Sequence, residues 1–431
     1  MRILLVNGLL DGKTLCNILI DNERIAYIGD ETPPHDQSMD LNKKLILPGL
    51  IDPHTHMRDM ELSLKEDWET GSKAAAAGGV TTIFDMPNTR PATFDVESLE
   101  IKRKAAVKSI VNYGFNFGVT EKNLGEIEKA RNIPALKMFM AESSSGYVID
   151  TKKMIKKVFR LAQQINKPVI VHSELQSCVE AHSKKYQPVI GNHNHIRNRE
   201  CAVKSTEILL DAAGETNAAL YLAHVSTREE IMLIRQAKQN GLKNVYCEIT
   251  PHHLLINESV LGTAGNFGKV NPPLRTADDN DALYEGLLDG TVDTIGSDHA
   301  PHTLAEKQQA YTLAPSGFPG LETTLPLLFT EVDKGRLPMT KLIELTSHNP
   351  ALIFKIKNRG EIRVGAYADL AILDPKISGL VDAGKFYTKA RYSPYQGYRV
   401  HGKVSMTFVN GNIVFRNDQF SKDKGKEVEF R

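Results

Sequence analysis

The chain has 431 residues, of which 41% are hydrophobic and 24% charged, too many for one ordinary domain and about right for a barrel with a smaller partner. A formal net charge of +1 gives no basis for a nucleic-acid or anionic-membrane partner. The apolar run at 3–6 is cut at Asn7-Gly8, too short for a signal core, and no stretch approaches the ~20 apolar residues of a membrane span.

The first forty residues read as short strands at 3–6, 16–20 and 24–28, separated by Asp11-Gly12 and Asp21-Asn22. The middle alternates. Strand-like runs stand at 45–52, 80–86, 113–119, 135–140, 168–171, 219–223, 245–249 and 292–295. Helical patterns lie between them. Over 150–166, for example, Met154, Val158, Leu161 and Ile165 recur at helical spacing with lysines opposite. Eight strand–helix units in this length fit an α/β fold, a (β/α)₈ TIM-like barrel, in preference to a doubly wound open sheet. Polar residues ending many of the strands favour the barrel, whose active sites lie at that end. Near the C-terminus, 368–373 and 406–415 are apolar strands, the second broken by the hairpin signal Asn410-Gly411-Asn412. Two β-rich ends around a different middle suggest one small β-sandwich built from both termini. The expected division is 1–47 and 355–431 for the sandwich and 48–354 for the barrel. The charged residues from about Asn417 read as a mobile tail. Cys16, Cys178, Cys201 and Cys247 show no C-x-x-C spacing and read as reduced, mostly buried thiols of a cytoplasmic protein.

Metal-ligand residues recur at the ends of the apolar runs. His54 and His56 are two apart, so strand geometry turns both to one face. An isolated His-x-His is more often an exposed turn. His193-Asn194-His195, in a polar loop, is read that way and assigned to the surface. His172 and His224 each follow an apolar run, where a packed core histidine is the plainer reading of either alone. Asp298 ends another run, where it could cap a helix, ligate metal or shuttle a proton. Lys137 stands in mid-strand, and a buried lysine needs a partner. It either snorkels to the rim or carries carbon dioxide as a carbamate, whose two oxygens can bridge two metals. Taken together, these residues describe a two-metal hydrolase in which a water bridging two cations attacks a carbonyl. His252 and His253 are left unassigned between strand-end packing and support of the ligands.

The string Asp52-Pro-His54-Thr-His56-Met-Arg58 resembles the opening motif of the amidohydrolase superfamily. The run from Ala74 to Thr82, followed by Asp85-Met-Pro-Asn-Thr89, is similar to its dihydroorotase–allantoinase–hydantoinase branch, as are Thr250-Pro-His-His-Leu254 and Val270-Asn-Pro-Pro-Leu-Arg275. Ser297-Asp-His-Ala-Pro-His302 and Gly317-Phe-Pro-Gly-Leu-Glu322 look most like dihydroorotases. The resemblance spans nearly the whole chain. It implies two divalent metal ions, with zinc the expected identity. One would be held by His54, His56, Lys137 and Asp298, the other by Lys137 (as N6-carboxylysine), His172 and His224. It implies that Arg58 and Asn88 bind a substrate carboxylate, that Asn271 and His302 contact the ring and its carboxylate, and that backbone near Pro315 and Gly317 bonds the ring amide. Some bacterial dihydroorotases carry aspartate at the bridging position, and Glu142 is a second carboxylate nearby.

The activity implied is interconversion of L-dihydroorotate and N-carbamoyl-L-aspartate in pyrimidine synthesis, with Asp298 as general base and acid. The runner-up is an allantoinase- or hydantoinase-type enzyme, whose simple substrates lack the carboxylate that Arg58 would pair with. A third reading, an inactive binding or assembly protein, expects lost ligands. The partner expected is a small molecule, with a homo-oligomer or a complex with another pyrimidine-pathway enzyme also compatible.

Overall fold

A computed structural model describes residues 1–142 and 146–430. Its first strands are β1 (Arg2–Leu10), β2 (Thr14–Asp21), β3 (Arg24–Gly29), β4 (Gln37–Asp40) and β5 (Leu45–Pro48). The barrel strands follow as β6 (Leu50–Thr55), β7 (Val80–Asp85), β8 (Asn112–Phe115), β9 (Phe117–Gly118), β10 (Leu136–Phe139), β11 (Val169–His172), β12 (Leu220–Ala223), β13 (Val245–Ile249) and β14 (Thr294–Ile295). The chain ends in β15 (Leu370–Leu380), β16 (Arg399–Val409), β17 (Asn412–Arg416) and β18 (Gln419–Phe420).

β8 and β9 are one barrel strand interrupted at Asn116, so β6 to β14 supply eight staves among the described residues, all parallel to their neighbours. The barrel closes where Thr55 bridges His299 and the His56 N–H donates to the His299 carbonyl at 2.8 Å. Continuous burial along β7, β10, β11 and β12 follows from a parallel sheet covered on both faces. Helices return the chain between staves. The one expected over 150–166 runs Lys152–Gln164 and buries Ile155, Val158, Phe159 and Leu161 against the barrel, leaving its lysines outside. Some helix starts are fixed by side-chain caps. Asp67 accepts from the Thr70 N–H, and Thr227 and Glu230 form a reciprocal capping box.

The terminal strands join into one nine-stranded sheet, ordered β18-β17-β16-β15-β5-β1-β2-β3 with β4 on β1. The far edge returns to the strand entering β15, since Arg24 pairs with Tyr367 and the Ile25 N–H donates to Ala366. Its inner face, including Leu5, Ile18, Ile46, Leu370 and Phe408, forms a core of its own. Leu45, Leu47, Ala371, Leu373 and Val404 face the other way into the barrel's core. Both termini therefore build one β element packed on the barrel.

Two expectations are corrected. The residues after Asn417 are docked rather than free. Glu427 bridges to Tyr113 and takes Arg103, Val428 is buried, and Phe430 packs edge-on to Phe84 with ring centroids 5.3 Å apart. The apolar Val428 and Phe430, interleaved with charges, supply the anchor that a count of charges hides. Cys178 and Cys201 are joined in a disulfide between two adjacent helices, with Cα atoms 5.3 Å apart. They lie 23 positions apart, so the sequence carries no short spacing signal. Cys16 and Cys247 are free and buried, as expected. No helix among the described residues is long and apolar enough to cross a membrane.

Candidate metal centre at the barrel mouth

A cavity of about 550 Å³ opens at the C-terminal ends of the barrel strands. His54, His56, Arg58, Lys137, His172, His224, Asn271, Asp298, His302, Pro315 and Gly317 all line it. Residues from β6, β10, β11 and the turns after β12 and β14 thus meet in one place, though Arg58 and His302, for example, lie 244 positions apart.

One end of the cavity gathers His54, His56 and Asp298, whose ligand atoms lie within 4.8 Å of one another, a trio able to hold a metal ion. Asp298 Oδ1 is 3.3 Å from His54 Nε2 and 3.1 Å from His56 Nε2. The opposite nitrogens are held from behind. Glu248 Oε1 accepts from His54 Nδ1 at 2.7 Å, and Asn88 Oδ1 accepts from His56 Nδ1 at 2.7 Å. A ring whose Nδ1–H is engaged keeps its Nε2 lone pair for a cation.

The other end gathers His172 and His224, with His172 Nδ1 2.9 Å from His224 Nε2. Glu174 accepts from His172 Nε2 at 2.9 Å, and Arg197 donates to the same carboxylate from Nε at 2.9 Å. Burial works to raise the Glu174 pKa, but Arg197 and His172 outweigh it and hold this carboxyl well below its ordinary range. Burial depresses the imidazoles, His56 to about 3 and His224 well below 6.5, so they stay neutral and keep their lone pairs. Asp298 is held far below the ordinary carboxylate range because the surrounding histidines overcome its burial.

Lys137 is buried, and its Nζ lies 5.1 Å from the centre of the Phe139 ring. Burial brings its pKa down to about 8, against the partial restoring pull of Glu248 and Asp298. A substantial neutral fraction near pH 8 makes this amine nucleophilic.

The donor set fits divalent cations. It comprises four imidazoles, one carboxylate and a buried lysine lining one cavity, and His224 Nδ1 is a buried atom with no partner among the described residues.

Arg58 is buried with φ at 57°, a left-handed turn, and lines the cavity. Its Nε donates to the Pro301 carbonyl at 3.2 Å. His302 lies over it. Lys65 Nζ donates to His302 Nδ1 at 3.1 Å, and His302 Nε2 lies 3.2 Å from Arg58 Nη2 and 3.1 Å from the Ser316 carbonyl oxygen, while burial beside these cations holds the imidazole neutral. The 309–317 loop is pinned by two lysines. Lys307 Nζ donates to the carbonyls of Pro315 and Gly317, both at 2.9 Å, and Lys269 Nζ to those of Tyr311 and Ala314. Gly317 has φ +119°, and a Cβ there would lie 2.6 Å from the Ala300 carbonyl oxygen, so the loop requires glycine.

The structure adds several residues to those read from the sequence and moves others. Glu248, Glu174 and Arg197 hold the histidine rings but carry no motif of their own. Glu248 in Tyr246-Cys247-Glu248-Ile249 is a charge in an apolar strand, the same signal that marked Lys137. Asn88 stands behind His56 rather than in the cavity lining. His193 is corrected from surface to interior. It is buried, its Nε2–H donates to the Val270 carbonyl at 2.8 Å, and its Nδ1 takes the Tyr311 hydroxyl at 2.8 Å. His195 is exposed and stacks on Tyr186. His252 and His253 are buried beside each other, and His253 Nε2 donates to the Pro272 carbonyl at 3.0 Å. Glu142 lies at the cavity rim.

The sequence matches the amidohydrolase family over residues 45–414, and the chain belongs to that family. Within it, a dihydroorotase of Methanosphaera stadtmanae is 36% identical over 97% of both chains. A dihydroorotase of Methanosarcina acetivorans is 36% identical, covering 95% of this chain and 90% of its own. Among solved structures, the L-hydantoinase (dihydropyrimidinase) of Arthrobacter aurescens matches with a TM-score of 0.95 at 30% identity over 99% of each chain. The dihydropyrimidinase of Brevibacillus agri NCHU1002 matches at 0.92 and 27% identity, covering 100% of this chain and 99% of its own.

Proposed function

We infer that this chain is a dihydroorotase, a metal-dependent cyclic amidohydrolase that opens the ring amide of L-dihydroorotate to N-carbamoyl-L-aspartate and closes it again. The observation that carries this reading is Arg58, a buried guanidinium lining the cavity that also holds the histidine–carboxylate cluster. A buried arginine with no carboxylate ion pair among the described residues invites a carboxylated substrate, which it grips in a two-point fork. The near-full-length similarity to dihydroorotases agrees.

His54, His56, Asp298 and Lys137 would hold one cation, and Lys137, His172 and His224 the other, with Lys137 carbamylated. Zinc is the identity this nitrogen-rich set favours. When bound, the cations supply Lewis acidity, activating water and polarising the ring amide carbonyl. Asp298 takes the proton from the attacking water on its carboxylate and passes it to the departing ring nitrogen. Arg58 fixes the carboxylate and Asn271 the ring. Asn271 Oδ1, buried with no partner among the described residues, is available to a ring N–H. His302 closes over the carboxylate, and backbone at Pro315 and Gly317 bonds the amide edge. Glu248, Glu174 and Asn88 hold the histidine rings in register throughout.

Hydantoinase is the second reading, favoured by the solved neighbours. A side-by-side turnover assay on L-dihydroorotate, allantoin and hydantoin, with zinc-loaded protein prepared in bicarbonate, separates the two. Turnover of dihydroorotate alone, lost in Arg58→Met, is expected. Turnover of hydantoin with Arg58→Met indifferent would move the assignment to the second reading. Lys137→Ala is expected to lose metal together with activity, and a normal metal count in that variant would remove the bridging role.

A further inference from the structure

A second cluster of ligating side chains lies outside the barrel mouth. Cys178 and His182 sit four apart on the helix Gln176–Ser183, so their side chains share a face. Cys201 lies on the adjoining helix Arg199–Thr216 and meets them there. One ligand atom from each of the three lies within 4.8 Å of the others. His182 is turned as a metal-binding histidine would be. Its Nε2 lies 3.4 Å from a Glu200 carboxylate oxygen, and its Nδ1 is buried with no partner among the described residues. A ligating imidazole commonly gives its other N–H to a carboxylate, and a buried lone pair without a donor is costly.

We propose that Cys178, His182 and Cys201 form a second metal site, separate from the barrel-mouth centre, that takes a zinc-class cation when the Cys178–Cys201 disulfide is reduced. A dithiol supplies the two electrons and two protons that convert the disulfide into two thiols and is itself oxidised to a disulfide. Binding the cation then releases the two thiol protons, and the two thiolates balance its double charge. Two thiolates and an imidazole suit tetrahedral zinc, with water in the fourth position. Cα atoms 5.3 Å apart put both sulfurs within reach of one ion. Cys178 lies at the edge of the buried region and His182 is partly exposed, giving the reductant and the ion a way in. The site bears on the cavity, because the same helix contributes Gln176 and Glu180 to its wall. Either the disulfide or the ion fastens that wall to the helix following Arg197.

The test is a Co²⁺ titration of the full chain, oxidised and after reduction by a dithiol that is then removed. Reduced protein is expected to show a thiolate-to-cobalt charge-transfer band in the near ultraviolet and to bind one more zinc per chain than Cys178→Ser or Cys201→Ser. Oxidised protein should show no such band, and the barrel-mouth centre, which has no sulfur ligand, cannot produce one. His182→Gln keeps both cysteines. It should weaken the reduced site by more than the roughly 10- to 100-fold cost of losing an outer-shell partner. Circular dichroism melting checks that each variant is folded. A reduced protein with no sulfur band and the zinc content of Cys178→Ser overturns the site. Unchanged cobalt affinity in His182→Gln overturns the three-ligand assignment.

Discussion

Glu248 is the side chain whose substitution tests the centre most sharply, because it enters no reaction step and touches two ligand histidines. It is fully buried on β13. One carboxylate oxygen accepts from His54 Nδ1 at 2.7 Å and from the His224 backbone N–H at 3.0 Å, and the other accepts from the Tyr221 hydroxyl at 2.8 Å. In Glu248→Gln every hydrogen bond can survive. The amide oxygen serves His54 and His224, the amide nitrogen donates to Tyr221, and the Tyr221 hydroxyl turns to Thr294, whose Oγ1 lies 2.7 Å away. Only the negative charge behind the imidazole is lost, and His54 becomes a weaker base toward a cation. Loss of such a partner costs about 10- to 100-fold in metal affinity or activity, or about 1.4–2.7 kcal/mol. The assay is competition for zinc against a fluorescent chelator, run beside turnover of L-dihydroorotate and a thermal melt of the apoprotein. The expected pattern is weakened zinc binding and turnover with an apoprotein melting point close to wild type. Glu248→Ala should add a stability loss of several kcal/mol, since it strands a buried N–H and leaves a cavity. Zinc affinity and turnover in Glu248→Gln within twofold of wild type would refute the argument that this carboxylate tunes His54.

Three further outcomes follow from the packing. Burial raises the Glu322 carboxyl to about 8 against the N–H bonds from Thr388 and Tyr387, so the folded protein keeps this proton where the unfolded chain, titrating near 4.3, has lost it. Stability from this group is full below about pH 4 and declines as pH rises toward 8. Glu322→Gln should flatten that slope in melts taken across pH 4–8, and an unchanged slope would refute the assignment. Lys307→Met leaves at least one of the Pro315 and Gly317 carbonyls without its donor, a loss of about 1–3 kcal/mol, and should raise KM by loosening the loop over the cavity. Unaltered KM and melting temperature would show that the lysine does not hold the loop. Deleting residues 425–431 removes buried Val428 and the Phe430 ring packed on Phe84, and should lower stability by at least about 2 kcal/mol in urea melts. An unchanged midpoint would mean that the tail's docking is only incidental.

The fold was legible because its signals are local. Each stave from β6 to β14 falls within or against an apolar segment expected from periodicity, and Asn410-Gly411 with φ of 49° and 76° forms the hairpin turn its sequence specifies. His54, His56, His172, His224, Lys137 and Asp298 were legible for a related reason. Each ends or interrupts a run that should be apolar, and a barrel points such exceptions at its mouth. What escaped depends on where distant segments meet. His193 reads as a loop residue until Val270 and Tyr311 close around it from 77 and 118 positions away. Cys178 and Cys201 are neighbours only because two helices pack.

Glu174, Arg197 and Glu248 belong to neither group, and their case is the instructive one. A carboxylate two residues beyond His172, and another in the middle of β13, break the apolar pattern as plainly as Lys137 does. Neither stands in a metal-ligand motif, because the groups that aim the ligands are not bound by the ligands' spacing. Their burial is affordable only because each is paired, Glu174 by Arg197 and His172, Glu248 by His54 and Tyr221. A lone buried carboxylate at these positions would take up a proton and stop orienting its histidine. The pairing therefore does two things at once: it gives the buried carboxylate oxygens their donors, and it keeps the imidazole lone pairs turned toward the cavity. Every charge standing in an apolar barrel strand is thus best read as half of a pair, and the partner sought at the mouth before the residue is set aside as packing.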